Sequence, residues 1–434
     1  MSRRVPLLAV GLLFASTALA EDWPQWRGPN QDAKCKETGL LKSWPKDGPP
    51  LVWTAKNLGV GWGTPSVADG KIFGIGTRAG KDGIWALKET DGSELWFTPF
   101  ADTAGGLGKQ TNGPASTPTY SKGKLYVVSD NGTLGSFDAA SGKKLWTKNY
   151  ISDFGGKLPK WGYSDSVLVD GDRVICAPGG PKAALAALNA DTGKVIWQTD
   201  AGPTGGGQGY STPVKATIGG VPMYVILTGD TAGILGVSAA TGKMLWQYTG
   251  KAAAGGVAQI PTPIVKDDLV WVSCSYSGGA ALLQIVSSGK DKFTVKELKK
   301  YAKPELNNHH GGMVLVDDYV YFGHDQNQGY PVCVEMKSGE IKWGPEKNAA
   351  LVGGGSGSAA VLYADGRLYF RYQNGTLVLI EPSPDQLKVV SSFKLPAPNE
   401  KHYPQSPAPV IANGKLYLRD QNVLLCYNVK ADKN

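Results

Sequence analysis

The chain has 434 residues, 58 of them Gly and 13 Trp, with only 4 His and 5 Cys. Its 45 basic and 37 acidic side chains leave a charge of +8, spread along the chain and not gathered in a patch, which argues against a nucleic-acid partner. No sustained helical period occurs and no run reaches about 18 apolar residues, so helical bundles and membrane-spanning helices are excluded and an all-β, turn-rich chain is expected.

Residues 1–20 read as a secretory leader. Arg3 and Arg4 are the positive end, Val5 to Leu19 the apolar stretch, and Ala18-Leu19-Ala20 a small-x-small cleavage site before Glu21. Pro6 stands where a twin-arginine signal carries an apolar or aromatic residue, so ordinary Sec export is favoured. No cysteine follows the cleavage site to take a lipid anchor. A periplasmic or extracellular, soluble monomer is expected after cleavage following Ala20. Residues 21–49 form an N-terminal extension, and 50–434 a single repeat domain.

The repeat is explicit. A turn followed by a strand recurs at Gly70, Gly123, Gly171, Gly220, Asp268, Asp318, Gly366 and Gly414, in steps of 53, 48, 49, 48, 50, 48 and 48 residues. A second marker, turn-Gly-x-x-x-Trp, keeps step from Gly92 to Trp96, Gly142 to Trp146, Gly193 to Trp197, Gly242 to Trp246 and Gly339 to Trp343. Phe293 and Phe393 are expected to hold that place in two degenerate copies. Thr-Pro pairs (Thr64-Pro65, Thr117-Pro118, Thr212-Pro213, Thr262-Pro263) lead into the first strand of a copy. Four strands of about five residues per copy describe a propeller blade. The fold expected is an eight-bladed β-propeller of four-stranded antiparallel blades. The eighth copy lacks its Trp strand, while Pro50 to Thr54 carries Trp53 with no blade before it, so the N-terminal strand is expected to complete and close the last blade. The recurring Trp is expected to dock between blades with its N–H bonded. Cys35, Cys176, Cys274, Cys333 and Cys426 make no CxxC; four lie in apolar strands and read as buried small hydrophobes, with one bridge from Cys35 left open.

The Ala-rich third strand followed by Thr-Gly-Lys-x-x-Trp resembles the pyrroloquinoline-quinone-like (PQQ-like) propeller repeat, over about Pro50 to Asn434. Trp23-Pro24-Gln25-Trp26-Arg27-Gly28-Pro29 resembles the opening motif of secreted bacterial propeller proteins. The resemblance implies kinship with quinoprotein alcohol dehydrogenases, which bind PQQ and calcium, and with the propeller lipoprotein of outer-membrane protein assembly. The dehydrogenases carry an adjacent Cys-Cys pair and a Glu/Asn/Asp calcium set; this sequence has no adjacent cysteines, and no calcium set aligns. Fold alone does not decide between them.

In a propeller, loops leading into first strands share a face with loops joining second and third strands. All 4 histidines fall in such loops. His309, His310, His324 and Asp325 are one candidate metal group, with His402 in blade eight. Trp62, Asn112, Tyr163, Tyr210, Gln259 and Gln405 are expected at the channel mouth as binding residues. Arg78, Asp130, Asp230, Arg371, Arg419 and Asp420 are expected further out, with Arg371 and Arg419 as candidate cofactor contacts. Such a rim suits a sugar, a peptide or a quinone, and equally the bland role of solvating loops. Gly202 to Gly209 and Gly353 to Gly357 open no helix and read as inter-blade loops. No serine-nucleophile elbow or zincin motif is present, and no catalytic residue is assigned. The leading expectation is a non-catalytic envelope propeller binding a protein or glycan partner. The alternatives are a PQQ- or metal-dependent oxidoreductase and a glycan-active lyase or hydrolase.

Overall fold

The computed structural model describes residues 20–104, 113–202, 207, 210–229, 232–255, 259–289, 291–345, 357–396 and 407–432. Residues 1–19, which carry the expected leader, and Asn112, Asp230, His402 and Gln405 lie outside them.

The strands form eight antiparallel meanders, one per repeat. Blade 1 is typical: Ser66–Ala68, Lys71–Arg78, Lys81–Lys88 and Glu94–Asp102, each paired with the next. Turn residues set its hairpins, and the alternation of its strands buries both faces against the adjoining blades. The only helix among the described residues is Lys251–Ala254. Blade 8 is built from both ends of the chain. Leu51–Ala55 pairs antiparallel with Val423–Asn428, beside Lys415–Asp420 and Val410–Ala412. The ring is therefore closed by the N-terminal strand, as the unpaired Trp53 predicts.

The Trp–Gly marker fastens blade to blade. In every blade the fourth strand carries a bulge opposite the third. Where a Trp follows that bulge, the next blade's turn glycine can lie on its ring. Gly92 meets Trp53, Gly142 meets Trp96, Gly193 meets Trp146 and Gly242 meets Trp197. The indole N–H of Trp53, Trp146 and Trp343 donates to a carbonyl of the following blade, at 3.2, 3.0 and 2.7 Å. Trp246 donates to Met223 Sδ, while Trp96 and Trp197 have no partner for theirs among the described residues. The register corrects one expectation. The position after the bulge is Lys299 in blade 5 and Ser391 in blade 7, not Phe293 and Phe393. Phe393 pairs two residues further along, with Leu377.

Residues 23–44 cross one end of the channel and touch every blade but the third. Trp23 exchanges two backbone hydrogen bonds with Val67 of blade 1, and the Pro24 carbonyl accepts from Tyr120 of blade 2. The Gln31 amide donates to the Pro213 carbonyl of blade 4, and the Trp26 indole to Thr262 Oγ1 of blade 5 at 3.2 Å. The buried Arg27 guanidinium donates to the Met313 carbonyl of blade 6. Lys34–Cys35 runs parallel to Ala359–Ala364 of blade 7, and Leu41 donates to the Val429 carbonyl of blade 8. The Trp-Pro-Gln-Trp-Arg-Gly-Pro motif is thus the head of a plug. All five cysteines are buried and unpaired.

Candidate functional site

Above the plug lies an axial cavity of about 540 Å³ with Trp26 at its floor. Its lower wall is built by residues at or just before the start of the first strand in seven blades: Thr64, Ser166, Thr212, Thr262, Gly312, Ala360 and Ala408. The hydroxyls there stitch blades together. Thr117 N–H donates to Ser166 Oγ at 2.9 Å, and Ser166 N–H to Thr212 Oγ1 at 3.0 Å. Each of these oxygens accepts from a neighbour, which leaves its own proton to donate. Thr64 Oγ1 has no partner among the described residues. Blades 1, 3, 4 and 5 thus present hydroxyls, and blades 6 to 8 the smooth Gly312, Ala360 and Ala408.

The upper wall is aromatic. Trp161 stacks on Tyr276, with centroids 6.2 Å apart and planes at 24°, and leans on Tyr210 at 6.1 Å. Tyr276 meets His309 edge-on at 5.2 Å, and His309 lies 4.2 Å from His310. Trp161 is 44% exposed. Lys160 Nζ sits 4.8 Å from its ring, a contact worth about 0.5–1 kcal/mol at such a site. His309 is held by Ser358 Oγ at 3.0 Å and Tyr276 Oη at 3.3 Å, and His310 by Gln373 at 3.4 Å. Burial lowers both imidazoles, His309 to about 2, with His310 adding to the effect, and His310 to about 4. Both are neutral at pH 7. The described lining residues contain no Asp, Glu, Lys or Arg, so this lining is polar but uncharged.

Of the residues singled out from sequence, Trp62, Tyr210, His309 and His310 meet at this cavity. Gln259 is buried behind it, its carbonyl accepting from Tyr210 N–H at 3.1 Å. Tyr163 is buried against Tyr150, its hydroxyl donating to the Lys157 carbonyl at 3.0 Å. Arg371 and Arg419 stand elsewhere than the rim. They are 1% and 0% exposed and clamp the closing seam of the ring. Arg371 donates to the Pro407 and Arg419 carbonyls, and Arg419 to those of Gln421, Gly63 and Gly59. Burial pulls Arg371 down to about 10 and Arg419 to about 9. His324 Nδ1 accepts the Asn307 N–H at 3.1 Å, and the Asp325 carboxylate takes the Gln326 N–H at 2.7 Å. Neither lines the cavity, and no three His, Cys, Asp or Glu among the described residues are placed to hold a metal ion. Trp26, Trp161, Tyr276, Asn327 and Gln373 line the cavity without having been singled out as ligands. The last four lie in the two loop classes that face the channel mouth, and that is the signal that marks them; Trp26 belongs to the plug.

PQQ is a planar quinone with three carboxylates. The described cavity offers aromatic surface, but no cation for those carboxylates, no carboxylate for calcium and no cysteine pair. The described residues do not fit that group.

The molecule is thus an eight-bladed propeller plugged at one end and open at a pocket whose described lining is aromatic and uncharged. The chain belongs to the PQQ-like propeller family whose model is described as outer membrane protein assembly factor BamB, matched over residues 41–149 and 80–345. It is 30% identical over 169 residues to a quinoprotein ethanol dehydrogenase of Pseudomonas aeruginosa, 38% of this chain and 26% of that one. It is 27% identical over 241 residues to BamB of Shewanella oneidensis, 52% of this chain and 55% of that one. The chain therefore spans at most about half the length of these relatives. Among solved structures, BamB of Moraxella catarrhalis superposes with a TM-score of 0.54 at 16% identity, covering 82% of this chain and 96% of that one. Quinohemoprotein alcohol dehydrogenase of Comamonas testosteroni gives 0.63 at 14% identity, covering 95% and 81%. At these identities the likeness is one of fold.

Proposed function

We propose that this chain is a non-catalytic binding propeller of the cell envelope, exported by its leader and cleaved after Ala20, that takes its ligand or partner at the axial pocket. The observation that carries the reading is the lining of that pocket. Neutral imidazoles, hydroxyls and aromatic rings bind and orient, but no described carboxylate stands ready as an acid, base or metal ligand. Relatives named for outer-membrane protein assembly support the envelope setting. Relatives named quinoproteins favour a second reading, a PQQ- or metal-dependent oxidoreductase.

One titration separates the two. The purified protein is mixed with PQQ and calcium, and followed by absorbance, thermal melting and dye reduction over a panel of alcohols and sugars. The binding reading expects no saturable spectral shift, no rise in Tm and no dye reduction. A saturable shift with a raised Tm overturns it, because a ligand that binds only the folded state must stabilise it.

A further inference from the structure

We infer that the axial pocket receives the end of an uncharged oligosaccharide. The inference rests on the binding reading above and names the ligand's chemistry. Three features of the pocket carry it.

The first is its blind floor. Trp26 closes the cavity from below and is held there by its bond to Thr262. A polymer therefore enters by an end, not by lying across an open groove. The second is the lack of any Asp, Glu, Lys or Arg among the described lining residues. A polypeptide ends in an ammonium or a carboxylate, and sinking either into a pocket without a counter-charge is costly. The same cost bars uronic acids and phosphorylated ligands. The non-reducing end of a neutral glycan carries hydroxyls only. The third is the division of the wall. Trp161 and Tyr276 offer aromatic faces near the mouth, suited to the C–H faces of sugar rings. Ser166 and Thr212 lie below, each accepting from a neighbouring blade and keeping a proton to donate to a sugar oxygen. A cavity of about 540 Å³ lies in the range that takes a small ligand or a few sugar units. The side chain of Lys160 over Trp161 is flexible and exposed, and yields its place to a sugar ring.

The test is calorimetric titration of the mature protein and of Trp161→Ala with hexamers of glucose (β-1,4 and α-1,4), xylose and N-acetylglucosamine, and with hexagalacturonate. A printed array of neutral and acidic glycans runs beside it. The expected result is saturable binding of at least one neutral oligomer, weakened tenfold or more by Trp161→Ala. That variant should keep its Tm, since Trp161 is half-exposed and its loss opens no core. Acidic oligomers of the same length should bind at least tenfold more weakly. Three results overturn the inference: no neutral glycan binds in solution or on the array, binding is indifferent to Trp161→Ala, or an acidic glycan or a peptide end binds more tightly. Failure here leaves the binding reading standing. If a neutral oligomer binds and is also cut, read as new reducing ends, the ligand class holds and the non-catalytic reading falls.

Discussion

At the scale of single residues, the pocket wall hides a carboxyl group whose state should govern stability. Asp165 lies between Ser164 and Ser166 of the lining but turns away from the cavity, and is fully buried. Tyr150 Oη donates to its Oδ2 at 2.9 Å, and its Oδ1 has no partner among the described residues. Burial pushes its pKa up to about 7. A carboxyl raised in the folded state stabilises most below its unfolded value and loses that contribution as pH climbs to the folded value. His309 and His310, lowered by burial, act in the opposite sense below about 6.5, so the whole-protein profile mixes the two. The comparison with Asp165→Asn isolates the carboxyl. From pH 5 to pH 8, urea unfolding should show wild type losing roughly 2–3 kcal/mol relative to this variant. A gap that does not move with pH contradicts the assignment.

At the scale of elements, the interlocking unit is the turn glycine lying on the previous blade's tryptophan. A Cβ built on Gly193 would lie 2.9 Å from two ring atoms of Trp146, at a φ of +67°. Gly171 has the same φ of +67° and nothing within 4 Å. Both alanine variants incur the left-handed backbone cost of about 1–2 kcal/mol, and only Gly193→Ala must also displace the indole, adding about 1–3 kcal/mol. Equal losses in thermal or chemical unfolding would show that the ring contact carries no strain. These elements were legible in the sequence because the repeat recurs eight times: the period, the Gly or Asp turns, the Thr-Pro lead-ins of four copies and the displaced Trp53 strand all stand where the chain order predicts. The substitutes for Trp were misplaced because blades 5 and 7 carry no aromatic at that position, and the nearest Phe stands elsewhere: Phe293 six residues before Lys299, and Phe393 two after Ser391. The site was legible only as a face. Loop class brought out Trp62, Tyr210, His309 and His310, which line the cavity. It gave no measure of depth, so Tyr163, Arg371 and Arg419, polar-tipped residues near strand ends, read as rim when they are packed and bonded inside.

At the scale of the whole molecule, the N-terminal chain makes the architecture. Leu51–Ala55 completes blade 8, and its Trp53 carries the contact onto Gly92 of blade 1. Arg371 and Arg419 reinforce the same seam by tying blades 7 and 8 to the loop before blade 1. Residues 23–44 then span the far end of the channel and turn a tube into a blind pocket. Closure leaves no exposed sheet edge at the seam, so the ring should open only by global unfolding. Glu37 strengthens the tie, its carboxylate accepting from the backbone of Asn413 and Gly414 in blade 8. Hydrogen–deuterium exchange across residues 21–60 of the mature protein tests this claim most directly. The account predicts that the amides of Trp23, Ala33 and Leu41, and those of Leu51–Ala55 that bond to Val423–Asn428, exchange as slowly as those of central strands such as Val221–Leu227. Exchange within seconds over this segment, with the other blades protected, would mean an open ring and an unplugged channel, and would contradict it.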